Sequence, residues 1–397
     1  YILVAVIFRF MDCLKVFDHI YVLTAGGPGI ATRTLQIGAY EDSIIFQNYS
    51  RGSTYMLLLW VIVFITARYL VSVLGKAQRR AAGAESSGYD ADRWSTRLDA
   101  AFSELFGTSA RAFAVPSGTA ANAVGLAACT PPYGGVWCHA EAHIEVDEAG
   151  AVPFYTGGGS LMLVPSPHGK LTPAALDEAS SRRRGDVHQV QPAALSLTQA
   201  TEWGTVYTPD EVAALAGWAK ARSLAVQMDG ARFANAIAHL GCHPADVTWK
   251  AGVDILSFGC IKNGGMSAEA LVVFNADLAA SIPIRRKRAG LMPSKGRFAA
   301  AQILAMLEND VWLQNARASN AGAQKLATAA PHRLLVPVQA NELFLRLTPA
   351  ERETLRAKGY SFYDWEISGP DAARLVVRWD QSAEVLETLA RDLAALG

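Results

Sequence analysis

Two residues could do chemistry together. Asp229 stands in Val226-Gln227-Met228-Asp229-Gly230-Ala231-Arg232, and Lys262 follows in Ser257-Phe258-Gly259-Cys260-Ile261-Lys262-Asn263-Gly264. Each lies just past a short apolar run that reads as a parallel strand. Both should therefore project from strand carboxyl ends, where open α/β sheets place their ligands. A lysine amine that holds an aldehyde as a Schiff base, and an acid that keeps a ring nitrogen protonated so the ring accepts electrons, are what pyridoxal phosphate requires. Taken singly, Asp-Gly reads as a turn and Lys-Asn-Gly as a solvated loop. The ordered set, with the partners that follow, carries the reading.

The phosphate candidate is Pro116-Ser117-Gly118-Thr119-Ala120-Ala121-Asn122, which follows a strand-like run and opens a helical one. Backbone N–H groups, the positive dipole end and the hydroxyls of Ser117 and Thr119 can receive an anion there. The same residues also suit a plain helix cap. Between this loop and Asp229 lies Cys138-His139-Ala140-Glu141-Ala142-His143-Ile144-Glu145-Val146-Asp147-Glu148. A flat imidazole such as that of His143 can stack on a pyridine ring, with the nearby carboxylates orienting it. His139 and His143 are four apart, yet spacing places no third ligand, and no metal is assigned. Thr201 and Glu202 lie in a polar loop after a strand, Leu197 to Tyr207, where substrate-facing groups tend to sit.

The elements that must position these residues show as an alternation. Strand-like runs at 110–115, 161–165, 193–197, 224–228, 255–258 and 270–274 interleave with helical ones at 119–127, 209–221 and 297–307. That order predicts a mostly parallel sheet covered on both faces. Gly157-Gly158-Gly159 reads as a turn. The 397 residues allow two or three domains, and 36 basic against 36 acidic side chains leave no overall charge to attract nucleic acid. Five cysteines, Cys13, Cys129, Cys138, Cys242 and Cys260, show no metal or redox spacing and read as reduced thiols of a cytosolic domain.

The first eighty or so residues differ from the rest. There is no initiating methionine, and Tyr1 to Phe8 reads as the end of a longer hydrophobic segment. Residues 54–74 form an apolar run with Arg68 as its one charge, long enough at about 1.5 Å per residue to cross a hydrocarbon core of roughly 30 Å. A transmembrane helix is expected there. Lys76, Arg79 and Arg80 follow, a basic flank that would put what comes next in the cytoplasm, with inner-membrane anchoring. Arg-Arg-Ala-Ala-Gly-Ala-Glu-Ser-Ser-Gly at 79–88 has linker composition. Phe17-Asp18, Tyr21-Val22-Leu23-Thr24-Ala25-Gly26-Gly27-Pro28-Gly29 and Thr32-Arg33-Thr34-Leu35 resemble the C-terminal part of sugar-type ABC transporter permeases, over residues 1–78. The earlier helices and ATPase-docking loop of that family are absent from the stretch.

From about Tyr89 onward the chain resembles the low-specificity L-threonine aldolase family. The motifs are Gly118-Thr119-Ala120-Ala121-Asn122, Ala142-His143-Ile144 with Asp147-Glu148, Thr198-Gln199-Ala200-Thr201-Glu202, Met228-Asp229-Gly230-Ala231-Arg232, Ser257-Phe258-Gly259 with Lys262-Asn263-Gly264, and Arg374-Leu375-Val376-Val377-Arg378-Trp379-Asp380. The resemblance implies an α/β fold of the type I, aspartate aminotransferase-like class. Its cofactor-binding large domain would span 89–280 and a smaller C-terminal α+β domain 281–397, after the helical membrane-type fragment. It implies Lys262 as the Schiff-base lysine, Asp229 on the pyridine nitrogen, His143 stacked on the ring, and Ser117, Gly118 and Thr119 on the phosphate. Arg232 and Arg374 would grip the substrate carboxylate, a task that suits the guanidinium fork. Arg297 is the candidate to reach a neighbouring subunit's phosphate, and reads equally well as a solvated charge.

The implied reaction is cleavage of threonine-like β-hydroxy-α-amino acids to glycine and an aldehyde, in a homodimer or homotetramer. His143, a group in the Thr201-Glu202 loop or a water could each act as base. Three departures from the family predict a weakened site and a disfavoured oligomer: the permease-like stretch stands where an N-terminal "SDN"-like segment is usual, Ile261 replaces a threonine, and Cys260 replaces a glycine. Other lyase chemistry such as β-elimination, or a non-functional fusion, stands as the alternative.

Overall fold

The computed structural model describes residues 34–82, 87–365 and 369–396. The chain divides into two compact units, 1–86 and 87–397. Most of the permease-like motif, Gly26-Gly27-Pro28-Gly29 included, lies outside the described residues, as do 83–86 of the expected linker.

In the first unit Thr34 caps a short helix, Leu35–Tyr40, by accepting a hydrogen bond from the Ile37 N–H at 3.2 Å. A π-helical turn at Glu41–Ile45 precedes one long helix, Tyr49–Ala82. The expected membrane crossing at 54–74 falls inside this helix and is not upheld. Among the described residues no helix is long and apolar enough to cross a membrane.

The second unit contains ten strands: β1 (Arg111–Val115), β2 (Gly134–His139), β3 (Ser160–Val164), β4 (Gln191–Thr198), β5 (Ala225–Gly230), β6 (Ile255–Phe258), β7 (Glu269–Val273), β8 (Glu342–Arg346), β9 (Tyr363–Asp364) and β10 (Ala372–Val376). The first seven form one sheet in the order β1-β7-β6-β5-β4-β2-β3. Neighbours from β3 to β6 pair in parallel, whereas β7 runs antiparallel to both β6 and β1. The reversal follows from chain length. Only ten residues separate Phe258 from Glu269, and a parallel return needs a dozen or more.

Every residue of β2 and β7 is buried, as a sheet covered on both faces demands. β2 escaped the sequence reading because it opens on two glycines. The structure needs small residues there, since a Cβ on Gly135 would lie 2.3 Å from Met162 Sδ. Helices cap as their sequences suggest: Thr208 and Glu211 form a reciprocal capping box at Pro209–Lys220. Gly157, at φ 82°, ends the helix Ala151–Thr156, so the glycine cluster is a turn.

Beyond the large sheet the 19-residue helix Val311–Ala329 leads to a three-stranded antiparallel sheet, β8-β10-β9. Leu343, Leu345, Leu355, Ala373, Leu375 and Leu393 form a core of their own there. The main core joins Phe102, Phe106, Leu195, Met228, Phe233, Phe258 and Trp312 beneath the large sheet.

Candidate active site

Strand register sets the site. Asp229 is paired with Thr198 on one side and Ser257 on the other, so the ends of β4, β5 and β6 lie at one level. Past β6 the chain makes a tight turn, Ile261–Asn263, that carries Lys262. A cavity of about 660 Å³ opens at this edge, lined by His143, Glu202, Asp229, Arg232, Lys262 and Arg374 among others. Six residues singled out from widely separated motifs thus meet in one place. Thr201 also lines the cavity. Its hydroxyl, however, lies 2.7 Å from that of Thr205 and 3.3 Å from the His168 carbonyl, which ties it to the loop rather than to a ligand.

Beneath the cavity a buried polar network crosses three strands. The Asn122 amide donates to Asp229 Oδ2 at 2.7 Å and to Glu148 Oε1 at 3.0 Å. Its oxygen accepts from Ser257 Oγ at 2.7 Å and Gln227 Nε2 at 3.0 Å. Ser196 completes the line by donating to Gln227 at 2.6 Å. Asp229 Oδ1 accepts the Ala231 N–H at 2.9 Å, so the carboxylate is held through both oxygens. A buried side chain satisfied in this way keeps its orientation before any ligand arrives.

His143 Nδ1 lies 2.9 Å from Glu148 Oε1. The carboxylate can only accept, so Nδ1 carries the hydrogen. This bond raises the imidazole pKa; burial opposes the shift and the Asp229 charge adds to it. One ligating atom each from His143, Glu148 and Asp229 lies within 4.8 Å of the others, and Glu148 Oε1 is already shared by His143 and Asn122. Burial, with the neighbouring Arg232 guanidinium, lowers the Lys262 ammonium pKa and favours the neutral amine.

Glu202 hands one oxygen to the His143 N–H at 2.9 Å, while its Oε2 is buried without a partner. Burial pushes its carboxyl up to about 7. Arg232 and Arg374 converge on a third acid, Glu342. Its Oε1 lies 3.0 Å from Arg232 Nη2 and 2.9 Å from Arg374 Nε, and also takes Arg374 Nη2.

Ser117 accepts from the Ala120 N–H at 3.2 Å as the cap of the helix Gly118–Cys129. A Cβ on Gly118 would meet open space. Ser117, Gly118, Thr119 and Arg297 are not among the residues that line the cavity. Arg297 begins the helix Arg297–Leu307, its guanidinium 5.1 Å from the Phe298 ring.

Three residues were not marked from sequence. Asn122 lay inside a quoted motif but read as ordinary helix. Glu342 opens the apolar run Glu-Leu-Phe-Leu-Arg with a charge that must find a partner when β8 is buried, which is a usable signal. Glu269 does the same at the start of β7, where its Oε2 accepts the backbone N–H groups of Cys260 and Ile261. It thereby pins the turn that bears Lys262. Gly265 lets the chain pass close to position 260, since a Cβ there would lie 2.8 Å from the Cys260 backbone carbonyl oxygen.

The sequence profile of beta-eliminating lyases matches residues 74–348. A low specificity L-threonine aldolase of Pseudomonas aeruginosa is 43% identical over 309 residues, which cover 77% of this chain and 88% of that protein. The solved threonine aldolase of Leishmania major superposes with a TM-score of 0.75 at 25% identity, over 81% of this chain and 94% of its own. The N-terminal likeness is short: a trehalose/maltose transport system permease protein of Thermococcus litoralis is 44% identical over 62 residues, 21% of its length. The match along the second unit, with the motif residues gathered at one sheet edge, shows that this chain belongs to the low-specificity L-threonine aldolase family of beta-eliminating lyases.

Proposed function

We propose that the second unit cleaves L-threonine, L-allo-threonine and related β-hydroxy-α-amino acids to glycine and an aldehyde, with pyridoxal phosphate as cofactor. The observation that carries the reading is the convergence of Asp229 and Lys262 on one cavity with His143, Arg232 and Arg374. The residues present fit the cofactor. Asp229 is a carboxylate fixed at both oxygens, Lys262 has its amine favoured by burial, and Ser117 to Thr119 begin a 12-residue helix at the same sheet edge. When bound, pyridoxal phosphate supplies an electron sink that makes a bond at Cα labile.

The protein's own groups do the rest. Asp229 would hold a proton at the ring nitrogen, and His143, braced by Glu148, would stack on the ring. Ser117, Gly118 and Thr119 would take the phosphate, and Arg297 would reach a neighbouring copy's phosphate. Arg232 and Arg374 bind the substrate carboxylate and so orient Cα. Glu202 receives the β-hydroxyl proton as the Cα–Cβ bond breaks; a carboxyl that titrates near 7, with one oxygen fixed and the other free, suits that role. Residues 89–280 form the cofactor-binding part and 281–397 the smaller domain that brings Arg374.

Incubation with L-threonine tests the reading. Glycine and acetaldehyde in equal amounts are expected, and Lys262→Ala should remove both the activity and the yellow colour of the loaded protein. Ammonia and a 2-oxo acid as the products would replace aldol cleavage with elimination.

A further inference from the structure

Two arginines expected to meet a substrate carboxylate are already joined by a carboxylate of the protein. Glu342 is 1% exposed, and its Oε1 takes contacts from Arg232 and from two nitrogens of Arg374. The other oxygen, Oε2, is buried with no partner, as is Arg232 Nε. Both arginines line the cavity, whereas Glu342 lies behind them and is not part of its wall.

The charges do not balance. Two guanidinium cations face one carboxylate, so the cluster carries a net charge of +1, which one α-carboxylate would neutralise. Burial also lowers the Arg232 pKa, and the Glu342 charge acts against that loss. Unpaired, two guanidinium groups this close would repel and swing apart.

We propose that Glu342 is a positioning residue for carboxylate recognition. Its Oε1 clamps Arg232 and Arg374 so that their remaining N–H groups present one anion-binding fork to the cavity. This deepens the aldolase reading and rests on it for the identity of the ligand as an α-amino acid. Glu342 touches neither substrate nor cofactor. Its effect must pass through the arginines, so it should show in carboxylate binding and leave the steps at Cα alone.

Glu342→Asp tests this, because it keeps the charge that the buried arginines need while withdrawing the acceptor by one methylene. The holoenzyme should keep its visible absorption band and its melting temperature. KM for L-threonine should rise at least tenfold while kcat changes less than threefold. Glycine and its neutral analogue glycinamide, titrated by the shift of the visible band, separate the causes: the preference for glycine should fall about tenfold, with glycinamide unmoved. Glu342→Gln, which keeps an acceptor oxygen at full length but removes the charge that holds the two cations together, should also lower the preference for glycine. An unchanged KM in Glu342→Asp, or equal weakening of glycine and glycinamide, overturns the proposal. Wild-type protein that binds glycine over glycinamide but does not cleave threonine would defeat the aldolase reading and leave the clamp standing.

Discussion

Replacing Asn122 with aspartate converts a donor into an acid of the same shape, at the centre of a carboxylate cluster. The Asn122 nitrogen lies 2.7 Å from Asp229 Oδ2 and 3.0 Å from Glu148 Oε1. Two anions 2.7 Å apart repel by about 6 kcal/mol at an effective dielectric constant near 20, which would lift a carboxyl pKa by roughly four units. The new group should therefore fold in its protonated form up to about pH 8. In the unfolded chain it titrates near 3.9. The sign follows from that difference. A raised folded pKa costs nothing below pH ~3.9, and the penalty grows by about 1.4 kcal/mol per pH unit above it. The penalty is then about 1.5 kcal/mol at pH 5 and about 4 kcal/mol at pH 7. A protonated carboxyl has one hydrogen for two acceptors, which adds about 1–3 kcal/mol at either pH. Urea denaturation of wild-type and Asn122→Asp holoenzyme at pH 5 and pH 7 measures the difference. The variant should lose about 2.7 kcal/mol more stability at pH 7 than at pH 5. Equal losses at the two values would mean that the carboxylates are not gathered around this amide.

The remaining expectations are shorter. If Glu202 is the base, kcat/KM should fall below about pH 7, where its carboxyl gains a proton. Glu202→Gln should cost about 10²–10⁴-fold in kcat and abolish that limb of the profile, whereas a persisting limb assigns it elsewhere. Gly259→Ala would bring a Cβ within 2.5 Å of the Ala231 carbonyl oxygen, a backbone atom that cannot step aside. It should cost about 1–3 kcal/mol in thermal unfolding and impair cofactor uptake, since it separates the chain after Asp229 from the turn before Lys262. Thr208→Ala removes a capping box remote from the cavity and should lower stability by about 1 kcal/mol with unchanged kcat and KM.

Much of this arrangement can be read from the chain because its signals are local. The runs at 255–258 and 297–307 coincide with the observed strand and helix, and the other strands shift by one or two residues at their ends. Asp229 and Lys262 were recognisable because each follows a short apolar run, whereas His143, Arg232 and Arg374 took their roles from the family resemblance. β2 was illegible because it opens on two glycines, and Gly135 answers to Met162 on the neighbouring strand. Glu342 and Glu269 were passed over for the related reason that a buried acid shows its purpose only beside its cations and N–H groups. The run at 54–74 misled in the opposite direction, since apolar content alone does not identify what covers a helix.

The short return between β6 and β7 bears on how the Lys262 amine moves. Both ends of that return are stitched into adjacent antiparallel strands, and Glu269 grips it just before the lysine. The peptide backbone carrying the amine is therefore moored. The Lys262 nitrogen can advance or retreat only by turning about the single bonds of its own side chain, a picosecond-to-nanosecond affair. If Lys262 is the Schiff-base lysine, catalytic tempo should accordingly be indifferent to any slow opening of the segment that bears it.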